Sequence, residues 1–429
     1  VTTTQEPPVS TGPATGPATG PATAGGAAAP AGGHGRLDLS RGLGWVHAAR
    51  SALGRPLTSY YLLLGASALL LTIGLVMVLS ASSVYAFKAT GDSYLVVKRQ
   101  LMWAVIGVVV AAVVVRMPPR LVRRLMWFPG LFVVVALLLA TQTPLGVTVN
   151  GNTNWVALGP VQVQPSEVAK LTLVLWAADV YANKERRLDQ LRHMVVPVVP
   201  VMLVIVLLVL LQRDLGTALV VMAIMLAMLW VVGFPARYFA ITLAGIGVLA
   251  LVLAWTSAER VKRITNFLDP FKDFHDAGWQ PAHGLFALSS GGVFGQGIGA
   301  SQQKWGDLPE AHTDFIFAVL GEELGLFGTM LVLALFLTIA VAAIRMASTT
   351  ADPFVRYASF GIVVWLLGQA MINVGMVLTL LPVIGIPLPL VSYGGSALVP
   401  SIVALGLLIS FARREPEAAA ALAARRRGR

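Results

Sequence analysis

Uninterrupted apolar runs of roughly 20 residues recur along most of the chain and constrain its fold more than any other feature. A run of that length crosses the hydrocarbon core of a bilayer as a helix. Lipid offers the backbone no hydrogen-bond partner, so a spanning segment must satisfy its own amides. The period-2 alternation of a transmembrane β-barrel is absent. Hydrophobic residues make up 56% of the 429 residues and charged residues 12%, with a mean hydropathy of +0.77. A soluble domain carries about twice that charged fraction. The expected fold is an all-α polytopic membrane protein of about ten transmembrane helices.

The runs place spans near 58–82, 96–115, 120–141, 166–183, 193–211, 214–233, 237–257, 313–345, 353–380 and 389–411. Short loops rich in Arg and Lys mark the cytoplasmic side. Arg36, Arg41, Arg50 and Arg55 precede the first span, and Arg116, Arg120, Arg123 and Arg124 follow the second. Lys184, Arg186, Arg187 and Arg192 follow the fourth, Arg345 and Arg356 flank the eighth-to-ninth connection, and Arg413, Arg414 and Arg425–Arg427 close the chain. With alternating spans these segments share one side, so both termini are expected in the cytoplasm. The loops at 83–95, 142–165, 258–312 and 381–388 then lie outside, the large one joining helices 7 and 8.

The same pattern explains the net charge of +11. The basic residues flank apolar runs and form no basic face with interleaved aromatics, which excludes nucleic acid as a partner. Residues 1–55 read as a disordered tail, since their Thr-Gly-Pro-Ala repeats and Ala/Gly tract cannot offset ordering entropy. They lack the basic start and apolar core of a signal peptide. Residues 56–412 form the expected transmembrane domain and 413–429 a basic tail. The chain has no cysteine, which excludes disulfides and thiolate chemistry.

Ionisable residues near spans are costly and point to function. Glu167 sits in the first turn of the fourth span with Lys170 at i+3, as a capping ion pair or as an oriented cation for an anionic substrate. Ser166 is a candidate N-cap there. Gln212-Arg213-Asp214 reads as a turn in which Asp214 caps the next helix and Arg213 is a plausible phosphate partner. His312-Thr313-Asp314 opens the eighth span, where spacing alone makes Asp314 a helix-start carboxylate. Glu322 and Glu323 lie further along it and require partners or a wet cavity, which Gln369 and Asn373 could also line. Lys98 and Arg99 add positive charge on the outer side, favouring an anion such as a lipid diphosphate. The glycines between Gly291 and Gly299 serve either close approach to a ligand or turns. No metal cluster, nucleophile elbow or P-loop is present, whereas a carboxylate base remains compatible with the sequence.

Several of these segments together resemble the SEDS family of cell-wall proteins. They are Trp305-Gly306-Asp307-Leu308-Pro309-Glu310-Ala311-His312-Thr313-Asp314-Phe315-Ile316-Phe317 running into Gly321-Glu322-Glu323-Leu324-Gly325, Gln164-Pro165-Ser166-Glu167-Val168-Ala169-Lys170, Asn154-Trp155, Gln212-Arg213-Asp214-Leu215-Gly216 and Pro389-Leu390-Val391-Ser392-Tyr393-Gly394-Gly395-Ser396. The match covers about 58–412, is closer to the division branch than to the elongation branch, and fits an actinobacterial member. Asp307 departs from the family pattern and adds a second carboxylate near the site.

The resemblance implies a peptidoglycan glycosyltransferase that polymerises lipid II outside the cytoplasmic membrane during septal synthesis. It implies Asp314 as the general base and Glu167, Lys170, Arg99, Arg213, His312 and Ser392 as substrate-binding residues. It also implies a class B penicillin-binding transpeptidase and other divisome membrane proteins as partners. A divalent cation, Mg2+ or Mn2+, suits a diphosphate leaving group, although no dedicated ligand set is visible. The competing reading is a lipid II flippase using the same buried polar residues, and a third is a division scaffold.

Overall fold

The computed structural model describes residues 57–415 apart from 150 and 160, together with 418 and 420. The N-terminal tail, its four arginines and Arg425–Arg427 lie outside the described residues. Helices α1 (Thr58–Thr90), α2 (Leu95–Arg116), α3 (Arg120–Ala140) and α5 (Leu191–Leu211) are long and apolar enough to cross a membrane. So are α7 (Ala236–Trp255), α10 (Ile316–Thr349), α11 (Pro353–Val377) and α12 (Gly395–Arg413), which makes eight among the described residues. Two further helices occupy predicted spans. Helix α4 (Pro165–Lys184) is 20 residues long but carries Glu167, Lys170 and Asp179, and α6 (Leu215–Val231) has 17 residues.

Three connections differ from expectation. Helix α1 runs on to Thr90, so the 83–95 loop shrinks to the turn before Leu95. The 142–165 segment folds into an antiparallel sheet of β1 (Gly146–Val149), β2 (Asn152–Leu158) and β3 (Val161–Val163), with Val156 opposite both Gly146 and Val163. The 258–312 segment contains α8 (Ala258–Asn266) and α9 (Trp279–Gly291), the latter packed along α10. Residues 389–394, expected to begin the last span, are non-helical.

Helix α11 is the centre of the bundle, packing on α4, α6 and α10. Pro353 opens it, and Asp352 caps it by accepting from Phe354 N at 2.9 Å. It runs antiparallel to α4: Arg356 pairs with Glu185 at 3.0 Å at one end, and Gln369 and Glu167 line one cavity at the other. Outside this core the helices turn apolar side chains outward, including Val105, Val109 and Val113 on α2 and Ile241, Val248 and Leu251 on α7. Apolar surface of that extent suits lipid and not water.

Helix α10 is broken at Gly325, where the backbone reaches φ 67° and ψ −165°. The glycine-rich segment after α9 repairs the break. Gln296 N and Gly297 N donate to Glu322 O and Glu323 O at 2.9 and 3.0 Å, and Leu326 N and Phe327 N donate to Gly292 O and Val293 O at 2.9 and 3.1 Å. A broken helix is tolerated at membrane depth when its backbone groups are satisfied in this way. A methyl on Gly291 would stand 1.9 Å from Gly321 O, and one on Gly295 2.2 Å from Glu323 O. These two glycines therefore serve backbone packing and not a ligand.

Candidate active site

Asp314 precedes α10 and does not lie in its first turn. The helix starts at Ile316 with Phe315 as N-cap, and no side chain caps it. The helix-start reading of this carboxylate therefore does not hold. The 310–315 turn is closed by Thr313 N and Phe315 N, both donating to Glu310 O at 3.1 Å. Glu310 takes φ 54° to allow this, and its carboxylate accepts from Thr313 Oγ1 at 2.6 Å.

Three consecutive carbonyls of this turn are each held by another element. Tyr393 N donates to His312 O at 2.9 Å. Ser392 Oγ donates to Thr313 O at 2.6 Å while accepting from Leu388 N at 2.8 Å. Asn373 Nδ2 donates to Asp314 O and to Ile386 O, each at 2.8 Å. The turn is thereby tied to α11 and to the 384–394 loop. Gly385, at φ +79°, lies under the carboxylate, and a methyl there would stand 3.3 Å from Asp314 Oδ2. The backbone that carries the Asp314 side chain is thus held in place, with Gly385 leaving room beside the carboxylate.

Burial pushes the Asp314 carboxyl up to about 7; the negative charges of Glu310 and Asp214 add to this and Arg263 opposes it. A carboxylate near neutrality is matched to proton abstraction at physiological pH. Burial lowers the His312 imidazole, favouring its neutral form. Asp307, the second carboxylate flagged in the sequence, is exposed, and its carbonyl accepts from Trp279 Nε1 at 2.7 Å. The negative charges that act on Asp314 come from Glu310 and Asp214 instead.

Asp214 caps α6 by accepting from Thr217 N at 2.9 Å and also accepts from Asn154 Nδ2 at 2.8 Å. The small sheet is thereby anchored beside the site, with Thr153 N donating to Gln212 O at 3.1 Å. Arg213 takes φ 65° and is exposed, while Arg260 from α8 donates to its carbonyl at 2.9 Å. Arg99 is exposed on α2; burial disfavours the ionised Tyr393 phenol, and the positive charge of Arg99 opposes this. Both arginine side chains are thus exposed to solvent.

The Glu167–Lys170 pair lies on the other side of the 384–394 loop. Lys170 Nζ is 2.8 Å from Glu167 Oε1 and 5.6 Å from the Trp365 ring centroid. Lys170 is 1% exposed and Glu167 3%. Glu167, Gln369, Leu388 and Ser392 border a cavity of ≈ 20 Å³, the room of about one water molecule. Lys170 therefore faces Glu167 and Trp365, not an open substrate site, and its ammonium holds Glu167. Ser166 is not the N-cap; Gln164 is, and Pro165 occupies the first helical position.

Glu322 and Glu323 do not line a shared cavity with Asn373. Glu322 accepts from Ser301 Oγ at 2.5 Å and Gln302 N at 2.9 Å. Glu323 accepts from Lys304 Nζ at 2.9 Å and Ser80 Oγ at 2.6 Å. Both tether the loop before Asp314 to α10. Among the described residues no three His, Asp or Glu side chains converge to hold a metal ion.

The description "Cell cycle protein", for the family of FtsW, RodA and SpoVE, matches residues 60–417. The chain belongs to this family. It is 39% identical to the probable peptidoglycan glycosyltransferase FtsW of Mycobacterium tuberculosis over 375 residues, 87% of this chain and 71% of that protein. It is 37% identical to stage V sporulation protein E of Bacillus subtilis, over 80% of this chain and 94% of that protein. Among solved structures it superposes on a chain of a peptidoglycan synthase complex described as coordinating polymerization and crosslinking, with a TM-score of 0.66 and 28% identity over 82% of this chain and 96% of the other. The rod shape determining protein RodA of Thermus thermophilus superposes with a TM-score of 0.59 and 26% identity, over 82% and 96% of the two chains. The matched residues take in nearly all of the described helices, α10 and the 310–315 turn among them.

Sequence reasoning named Asp314, His312 and Ser392 but not what arranges them. Gly385 carried a signal, a lone glycine between Ile384 and Ile386, and its positive φ is what leaves room for the carboxylate. Tyr85 carried none, because its neighbour His312 is far away in sequence.

Proposed function

We propose that this chain is a peptidoglycan glycosyltransferase of the FtsW type that polymerises lipid II, with Asp314 as the general base. The observation that carries this reading is the half-buried carboxylate of Asp314 beside Gly385, on a turn whose carbonyls at 312, 313 and 314 are each held by another element. Asp314 takes the proton from the acceptor sugar hydroxyl. The freed oxygen attacks the anomeric carbon of the donor, and the bond from that carbon to the polyprenyl diphosphate breaks. Exposed Arg99 and Arg213 offset the charge developing on the diphosphate. Glu167 and Lys170 stay beneath the 384–394 loop and support it from the side away from Asp314.

The asymmetry of Arg and Lys in short loops puts this end of the bundle outside the cytoplasmic membrane, where lipid II sugars are displayed. A class B penicillin-binding transpeptidase is the partner that suits a polymerase of this kind, in keeping with the chain's likeness to part of a synthase complex. The septum is the site of action in this reading, as the likeness to FtsW proteins suggests. A flippase would need a free polar path, yet Glu322, Glu323 and Asn373 are committed to tethering backbone and loop. The test is purified chain, with its transpeptidase, given lipid II. Glycan polymer that disappears in Asp314→Ala supports the reading. Polymer made equally well by that variant would remove Asp314 from the role.

A further inference from the structure

Tyr85 takes no part in the chemistry described so far, yet it is packed against the candidate base's own turn. It projects from the last turns of α1 and is 58% exposed. Its ring stacks on His312, with centroids 5.1 Å apart and planes 25° apart. His312 in turn meets Tyr393 at 5.8 Å and 42°. The two residues are tied through the backbone, because Tyr393 N donates to His312 O at 2.9 Å. Asp314 follows two residues after His312 in the same closed turn.

We propose that Tyr85, His312 and Tyr393 form an aromatic ledge that binds a pyranose ring of the glycan next to Asp314, a role that rests on the glycosyltransferase reading. The C–H face of a pyranose is apolar and stacks on aromatic rings, while its rim of hydroxyls needs nearby hydrogen-bonding groups. The ledge supplies both: a phenol ring largely open to solvent, and the imidazole and phenol polar atoms along its length. A tyrosine serving only to anchor the helix at the membrane interface would turn toward lipid headgroups. Tyr85 instead turns onto the loop that carries the base. One helical turn further, Lys88 Nζ donates to Trp305 O at 2.8 Å, and Trp305 is 62% exposed, so the ledge continues into an aromatic and basic rim. The sugar held there belongs either to the lipid-linked donor or to the acceptor strand, and the same ring chemistry serves both.

The experiment uses full-length chain in lipid nanodiscs with Tyr85→Leu and Tyr85→Phe. Leu keeps apolar packing on His312 but removes the aromatic face, and Phe keeps the face. Three quantities are read: binding of soluble, peptide-free glycan fragments, binding of lipid II in an Asp314→Asn background, and KM against kcat for polymerisation. Leu is expected to weaken one of the two bindings roughly three- to tenfold and to raise KM correspondingly, with kcat kept and Phe close to the parent. Loss confined to glycan fragments assigns the ledge to the acceptor, and loss confined to lipid II assigns it to the donor. Unchanged binding of both overturns the proposal, as does a fall in kcat alone, which marks Tyr85 as packing for the turn. A Phe variant as weak as Leu also overturns it. Parent protein that binds glycan but makes no polymer removes the glycosyltransferase reading and leaves the ledge standing.

Discussion

The side-chain amide of Asn373 holds the backbone carbonyl of Asp314 at 2.8 Å, and the same nitrogen holds Ile386 O at 2.8 Å. One buried residue of α11 therefore sets both the turn that carries the carboxylate and the loop beneath it. Asn373→Ala leaves two carbonyls without their donor, at a cost of about 1–3 kcal/mol each where they stay dry. Polymerisation should fall at least tenfold while substrate affinity changes little. Asn373→Gln, with a misplaced amide, should recover only part. Thermal unfolding and steady-state kinetics check this, and wild-type turnover in the Ala variant refutes it.

The pH dependence of Asp314 has opposite signs for stability and for rate. Its carboxyl keeps a proton up to about pH 7 in the folded chain, whereas an ordinary carboxyl of this type releases it near 3.8. Between these values the folded state holds the extra proton, so its stability contribution falls as pH rises and levels off above about 7. In the proposed role the carboxylate acts only when ionised, so kcat/KM should rise with pH to a plateau, with a midpoint near 7. Glu310→Gln removes a charge that raises this carboxyl and should move the midpoint down; Arg263→Gln should move it up. Midpoints that shift in the same direction in both variants would contradict this electrostatic account.

Glu167 and Lys170 should behave as a buried pair. Removing one partner leaves a buried charge uncompensated, a loss of about 3–5 kcal/mol, whereas exchanging both for apolar residues of similar volume is far milder. Lys170→Met and Glu167→Gln should each lower the unfolding temperature, and the double variant should recover part of that loss. A double-mutant cycle on protein in nanodiscs measures the coupling. Strict additivity would mean that the 2.8 Å contact carries no mutual stabilisation.

Gly325→Ala should detach the glycine-rich segment from α10. The added methyl would stand 2.3 Å from Gly295 N and 2.5 Å from Val293 O, at a φ of +67° that side chains resist. Gly297→Ala meets nothing within 4 Å and suffers only the strain of φ +105°. Limited proteolysis between 292 and 304 should therefore increase strongly in the first variant and slightly in the second. Equal protection in both would show that the backbone contact at Gly325 is dispensable.

The helical membrane fold was legible in the sequence because each span answers to a local demand, about 20 apolar residues with internally satisfied amides. The cap at Asp214 was local as well. The small sheet was missed although Asn150-Gly151 and Gly159-Pro160 are turn signals between alternating residues, because the surrounding apolar runs dominated the reading. For Lys170 the spacing left an ion pair with Glu167 and a substrate anion both open, because it cannot show that Trp365 of α11 lies over the ammonium.

By itself, then, the sequence determined which segments enter the membrane and which charged residues were too costly to be idle, since hydrophobic length and charge cost are properties of single segments. Only the tertiary structure decided what Asp314 is. Spacing made it a helix cap; contacts from Asn373, Ser392, Tyr393 and Gly385, all distant in the chain, made it a half-buried carboxylate on a fixed turn. Desolvation and orientation arise when separate segments pack together, so no local pattern encodes them.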